Sequence, residues 1–134
     1  MPRHPVASPA PARRPKNRSL MNAFVRIAEM WGLAIEQQRV LLGNPSRSTY
    51  FKWRKDADPA LPADTQERIS YLLGIFKDLQ ILIPDEREAD SWVKAPNANP
   101  LFGGKSALDR MLSGKVADLF IVRQFLDAER GGWA

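Results

Sequence analysis

The 134-residue chain has no cysteine and a single histidine, His4. The first absence removes disulfides, thiolate nucleophiles and thiolate metal sites together, and it fits a reducing compartment. The second leaves no His-based triad or metal site, because one imidazole in a proline-broken N-terminus has no partner. No run of about 18 apolar residues occurs, so nothing reads as a membrane span. The N-terminus has no apolar signal core, and a cytoplasmic location is expected. Apolar residues still make up 44% of the chain, an ordinary share for a folded protein. The length allows one domain, or two very small ones sharing a core.

Acids are scarce in one half only. Residues 1–55 carry 11 Lys/Arg against two acids, Glu29 and Glu36, a balance of +9. Residues 56–134 carry 9 Lys/Arg against 13 acids, a balance of −4, and the whole chain stands at +5. Such a split points to two partners: phosphates for the basic half, a protein for the other.

Residues 1–18 read as a disordered basic arm. Five prolines (Pro2, Pro5, Pro9, Pro11, Pro15) break any helix, and Arg3, Arg13, Arg14, Lys16 and Arg18 make it cationic. Two readings stand side by side, a flexible tail and an arm lying on phosphates or in a minor groove. Ser19 is placed to cap a first helix over 20–31, with Leu20, Phe24, Ile27, Ala28 and Trp31 at helical spacing. A second helix covers 34–42.

The stretch Leu41-Leu-Gly-Asn-Pro-Ser-Arg-Ser-Thr-Tyr-Phe-Lys-Trp-Arg-Lys55 is the most telling. One helix stops at Gly43-Asn44-Pro45. Another starts with Ser46 as its cap and runs to residue 55 without an acid. This is the turn and second helix of a helix-turn-helix, the element that enters a major groove. Tyr50 and Trp53 face the core. Arg47, Ser48, Phe51, Lys52 and Lys55 face outward, and Arg54 sits at the side, suited to a phosphate. The expected DNA contacts are Arg47, Ser48, Thr49, Lys52, Arg54 and Lys55, with Arg47 able to grip guanine bidentately. A solvated basic helix that touches nothing is the competing reading.

Asp56 to Pro62 is a linker with two prolines, which closes the helix-turn-helix region at 19–62. Residues 63–134 read as a helical dimerisation and partner-binding domain. Asp64 is placed to cap a helix over 65–82, with Ile69, Leu72, Leu73, Phe76, Leu79 and Ile83 on one stripe and Ile75 and Leu82 off it. A helix apolar on two sides is expected centrally or at a dimer interface. Asp85–Lys94 is a short helix with acids in its first turns. Residues 96–100 form a loop, Ser106 caps a short helix, and residues 115–130 form the last one, ended by Gly131-Gly132. No stretch alternates as a strand would, so the fold class is all-α.

No catalytic chemistry survives inspection. The acids Asp85, Glu86, Glu88 and Asp90 match the dipole of a helix start. Phe102-Gly-Gly-Lys-Ser106 ends like a phosphate loop, yet Asn99 stands where the first glycine belongs and no strand precedes it. Trp92 is expected in the core. Trp133, which follows Gly131-Gly132, either folds onto its own domain or anchors in a partner.

Trp92-Val-Lys-Ala-Pro-Asn97, Leu101-Phe-Gly-Gly-Lys-Ser-Ala-Leu-Asp-Arg-Met-Leu-Ser-Gly114, Val122-Arg-Gln-Phe-Leu126 and Arg130-Gly-Gly-Trp133 resemble the toxin-binding domain of Xre/MbcA/ParS antitoxins. Leu42–Trp53 and Arg68–Phe76 resemble the DNA-binding region of the same proteins. The likeness covers about residues 20–134. Ala107 stands where relatives often have proline. The resemblance implies a bacterial type II toxin–antitoxin system and a RES-domain toxin that consumes NAD⁺ or transfers ADP-ribose from it. Neutralisation by covering that toxin's active site, and repression of the operon as a DNA-bound homodimer, are implied with it. It places toxin contacts on residues 97–108 and 130–134, among them Asn97, Phe102, Lys105, Arg130, Gly131, Gly132, Trp133 and Ala134. No cofactor and no membrane partner are expected. A helix-turn-helix regulator whose second domain only dimerises or senses a ligand is the alternative.

Overall fold

The computed structural model describes residues 16–131. Seven α-helices and one 3₁₀ turn follow one another: α1 Lys16–Met30, α2 Ile35–Leu41, α3 Arg47–Lys55, α4 Ala63–Leu82, α5 Glu86–Trp92, the 3₁₀ turn Pro100–Phe102, α6 Ala107–Met111 and α7 Val116–Gly131. The all-α expectation holds among the described residues.

Helix α4 organises the molecule. Its most extensive contact is with α7, its next with α1. This explains its two apolar sides: Ile69, Leu72, Ile75 and Leu79 are all buried within one chain. α1 and α7 account for burying these four, while Leu73, Phe76, Leu82 and Ile83 are half-buried and Ile81 is exposed. A single apolar cluster runs from Met21 and Phe24 on α1 through α4 to Leu119, Val122 and Leu126 on α7. Trp31 meets Phe76 at 6.4 Å, and Phe24 meets Tyr50 edge-on at 6.5 Å.

Two helix starts differ from the sequence reading. α1 begins at Lys16, so residues 16–18 are helix rather than arm. Long-range contacts hold that first turn. The Asn17 amide donates to the Pro59 carbonyl at 2.8 Å, and the Arg18 guanidinium donates to the carbonyls of Arg54 and Asp56. The rest of the expected arm, residues 1–15, lies outside the described residues. α4 begins at Ala63 with Pro62 at its N-cap; Asp64 is not the cap but an acid of the first turn, bound to Arg68 at 2.7 Å.

Polar contacts lock the first half onto the second. The Thr65 hydroxyl donates to the Leu42 carbonyl at 2.9 Å. Arg68, itself buried, donates to Asp64 and to the Gly114 carbonyl at 2.9 Å. Gly43 lies beside this pair with φ +99°, and a Cβ there would stand 3.0 Å from the Asp64 carboxylate. Both the left-handed backbone and the missing space call for glycine.

Candidate functional site

The recognition helix α3 is built as its sequence indicates. Ser46 is extended and its hydroxyl accepts from the Thr49 amide at 3.1 Å, which caps the helix. Gly43 and Asn44 take positive φ in succession and turn the chain from α2 into α3. Tyr50 and Trp53 are buried. The Tyr50 hydroxyl donates to the Gln38 side-chain carbonyl, and the Gln38 amide donates to the Leu33 carbonyl at 2.9 Å. This buried chain of bonds fixes α3 against α2. Burial pushes the Tyr50 phenol up to about 12, against the opposing pull of Arg54.

The outward face separates into two groups. Ser48, Lys52 and Lys55 are exposed and point away from the core. Arg47 and Arg54 flank Phe51, their guanidiniums 5.7 and 5.8 Å from its ring centre, so Phe51 is a platform between two cations rather than a free aromatic. Arg54 also stacks on Tyr50 at 5.8 Å. Thr49 is half-buried and drawn into the cap, where its hydroxyl accepts from Ser46 at 2.9 Å.

One group in this face was not foreseen. Glu36, in the first turn of α2, holds Arg39 with one carboxylate oxygen and Arg47 with the other, both at 2.5 Å. Arg39 also donates to the Pro45 carbonyl at 2.8 Å and so closes the turn. The available signal was an acid eleven residues ahead of the leading arginine in a stretch otherwise basic.

The second surface is the loop from Asn97 to Ser106. Asn97 accepts from the Asn99 amide at 2.8 Å, and Asn99 accepts from the Leu101 amide at 2.9 Å, two successive side-chain turns. Gly103 and Gly104 then take φ of +57° and +83° with open space where a Cβ would lie. The loop thus presents bare backbone and the exposed Lys105. Ser106 and Asp109 form a reciprocal capping box on α6. The Ser106 amide, then its hydroxyl, hold the Asp109 carboxyl below its ordinary range.

Beside the loop lies an open hollow of about 660 Å³ lined by Leu101, Lys105, Asp109, Arg110, Ser113 and Asp118. Arg110 spans it, donating to the Leu101 carbonyl at 2.6 Å and to Asp118 at 3.1 Å. The Ser113 hydroxyl, aided by Arg110, lowers the Asp118 pKa.

Two expected contact residues have other work. Phe102 is buried, not presented: its ring packs edge-on against Trp92 at 6.0 Å and Phe125 at 5.5 Å. Trp92 is half-buried beside it. Arg130 binds the buried Asp78 carboxylate at 3.1 Å. Asn97 is half-buried, and Gly131 is exposed at the end of α7. Gly132, Trp133 and Ala134 lie outside the described residues.

Both halves of the chain match known domains. Residues 3–74 match the antitoxin Xre-like helix-turn-helix domain, and residues 78–132 match the antitoxin Xre/MbcA/ParS C-terminal toxin-binding domain. The y4oB protein of Sinorhizobium fredii (strain NBRC 101917 / NGR234) is 54% identical over 112 residues, 84% of each chain. The chain belongs to the Xre/MbcA/ParS antitoxin family, with a helix-turn-helix for DNA and a domain for a toxin. Neither matched family is an enzyme family. Among the described residues, no helix is long and apolar enough to cross a membrane.

Proposed function

We propose that this antitoxin neutralises a RES-domain toxin by covering its NAD⁺ cleft and represses its own operon through α3. The observation that carries the reading is the pairing of two chemically distinct surfaces on one core. One is a basic helix face with Arg47, Ser48, Lys52, Arg54 and Lys55, which suits phosphates and base edges. The other is the glycine-bared loop with Lys105 and its hollow, which suits a protein surface. Thr49 contributes to the first surface through the cap that orients it. Phe102 contributes to the second from beneath, as the wedge that holds the loop.

Blocking a cleft requires shape and a plug, and no catalytic group. Gly131-Gly132 and the Trp133 indole are the proposed plug. Repression by a homodimer is part of the proposal, since paired recognition helices read palindromic half-sites. Among the described residues, the large apolar side chains exposed for a dimer contact are Met30, Ile81 in the last turn of α4, and Phe120.

Co-expression with the neighbouring reading frame tests the neutralisation. The neighbour alone should stop growth, the full chain should restore it in a co-purifying complex, and a chain lacking residues 132–134 should fold but fail to rescue. Rescue by that shortened chain refutes the plug. A harmless neighbour that does not bind leaves a helix-turn-helix regulator with a different partner. For repression, Arg47→Ala should weaken binding to the upstream DNA by about 1–3 kcal/mol, and equal binding would remove Arg47 from the reading face.

A further inference from the structure

We propose that Glu36 is a positioning residue that sets the sequence discrimination of α3, by holding Arg47 in one arrangement and by keeping the surface from binding any DNA. The inference rests on the DNA-binding role of the first half.

Glu36 is one of two acids in residues 1–55. It stands at the start of α2, and its side chain and that of Arg47 are 64% and 58% exposed. An exposed pair of this kind adds little to stability, so stability does not account for the arrangement. Its place on the DNA-facing side matters more. A carboxylate there repels phosphate and lowers affinity for every sequence alike.

The geometry turns that loss into selectivity. Glu36 takes the Nη1 group of Arg47, which leaves Nε and Nη2 for a guanine edge. The Phe51 ring, 5.7 Å away, supports the guanidinium from another side. Arg47 is therefore held before DNA arrives and loses less freedom on reaching a base. Freed from Glu36, the same side chain would reach for any nearby phosphate. Arg39 anchors the assembly, since it binds Glu36 and also the Pro45 carbonyl in the turn.

The test compares wild type, Glu36→Gln, Arg47→Ala and the double variant. The probes are short duplexes tiling the DNA immediately upstream of the reading frame, and one random-sequence duplex, titrated across salt concentrations. Glu36→Gln should bind random DNA more tightly, with a salt slope steeper by about one unit for the additional phosphate. Its preference for the best upstream duplex should fall about tenfold, part of the value of a bidentate base contact. In the Arg47→Ala background the same change should leave the preference where Arg47→Ala alone puts it. An unchanged preference in Glu36→Gln overturns the inference, whatever happens to the melting temperature. So does a fall of equal size in the Arg47→Ala background. A wild type with no preference for any upstream duplex overturns the repressor reading itself, and this inference with it.

Discussion

Replacing Arg130 by alanine separates a structural from a toxin-reading role for the end of α7. Arg130 holds the Asp78 carboxylate at 3.1 Å, and Asp78 is only 1% exposed, with its second oxygen buried and unpartnered. Removing one member of a fully buried pair costs about 3–5 kcal/mol. The Arg130 side chain is 40% exposed, so water already screens the pair, and about 2 kcal/mol is the expected loss. For a chain of this size that lowers the melting temperature by about 5–10 °C. The loss should depend on pH. Burial first, and the neighbouring Asp127 second, hold the Asp78 pKa above its ordinary value, while Arg130 opposes them. A raised carboxyl pKa means that the charged form is disfavoured in the fold. That cost is present above the folded pKa and fades as pH falls towards the ordinary carboxylate range. Without Arg130 the pKa rises further, so the deficit of Arg130→Ala should be large at neutral pH and smaller in mild acid. Asp78→Asn in the Arg130→Ala background should recover part of it. Thermal unfolding followed by circular dichroism at the two pH values checks this. An unchanged melting temperature at neutral pH, or an equal deficit at both, refutes the reasoning. If the double variant is stable yet fails to rescue growth, the toxin itself reads Arg130.

Other perturbations act on single contacts. Tyr50→Phe strands the buried Gln38 carbonyl and should cost about 1–3 kcal/mol in urea unfolding; an unchanged midpoint would show that the hydroxyl does nothing. Ser106→Ala removes the α6 cap and should cost about 1 kcal/mol. It should also flatten the acid side of the stability curve in part, since the hydroxyl's share of the hold on Asp109 is lost while the larger share, the backbone amide at position 106, survives. The depressed Asp109 pKa gives stability that is present above the ordinary carboxylate range and lost as pH falls through the folded pKa. An acid limb as steep as the wild type's would show that the hydroxyl contributes nothing to that dependence.

What the sequence disclosed and what it hid divide by the range of the contact. The Ser46 cap and the inward Tyr50 and Trp53 were legible because they rest on residues within one helical turn or on the 3.6-residue period. The capping box on α6 is equally local. The early start of α1 was hidden because Asn17 and Arg18 find their partners 36 to 42 residues away. Phe102 was read as a contact residue because a motif shows which residues recur together and not which way they face. Its burial depends on Phe125, in another helix. Arg130 was assigned to a toxin for the same reason, while the structure joins it to Asp78 across 52 residues. Its fate on binding the toxin remains a proposal that the double variant tests.

The expected boundary after residue 62 falls inside one folding unit, and the matched helix-turn-helix domain runs on to residue 74. α1 buries Met21, Phe24, Ile27 and Ala28, and its principal partner is α4. A chain ending at residue 62 keeps the recognition helix and loses Ile69, Leu72 and Phe76 from the core around it. It also loses the Thr65 bond to Leu42 and the Arg68 side chain beside Gly43. Each large apolar side chain so removed withdraws about 1.5–3 kcal/mol of burial, against a total stability of about 5–15 kcal/mol for a whole domain. A fragment of that size has too little core to fold alone. It should show no cooperative unfolding transition and bind DNA only through charge, with no preference between upstream and random duplexes. A cooperative transition together with the full chain's sequence preference would show that the helix-turn-helix stands by itself, and that the continuous core from α1 to α7 is not required to present it.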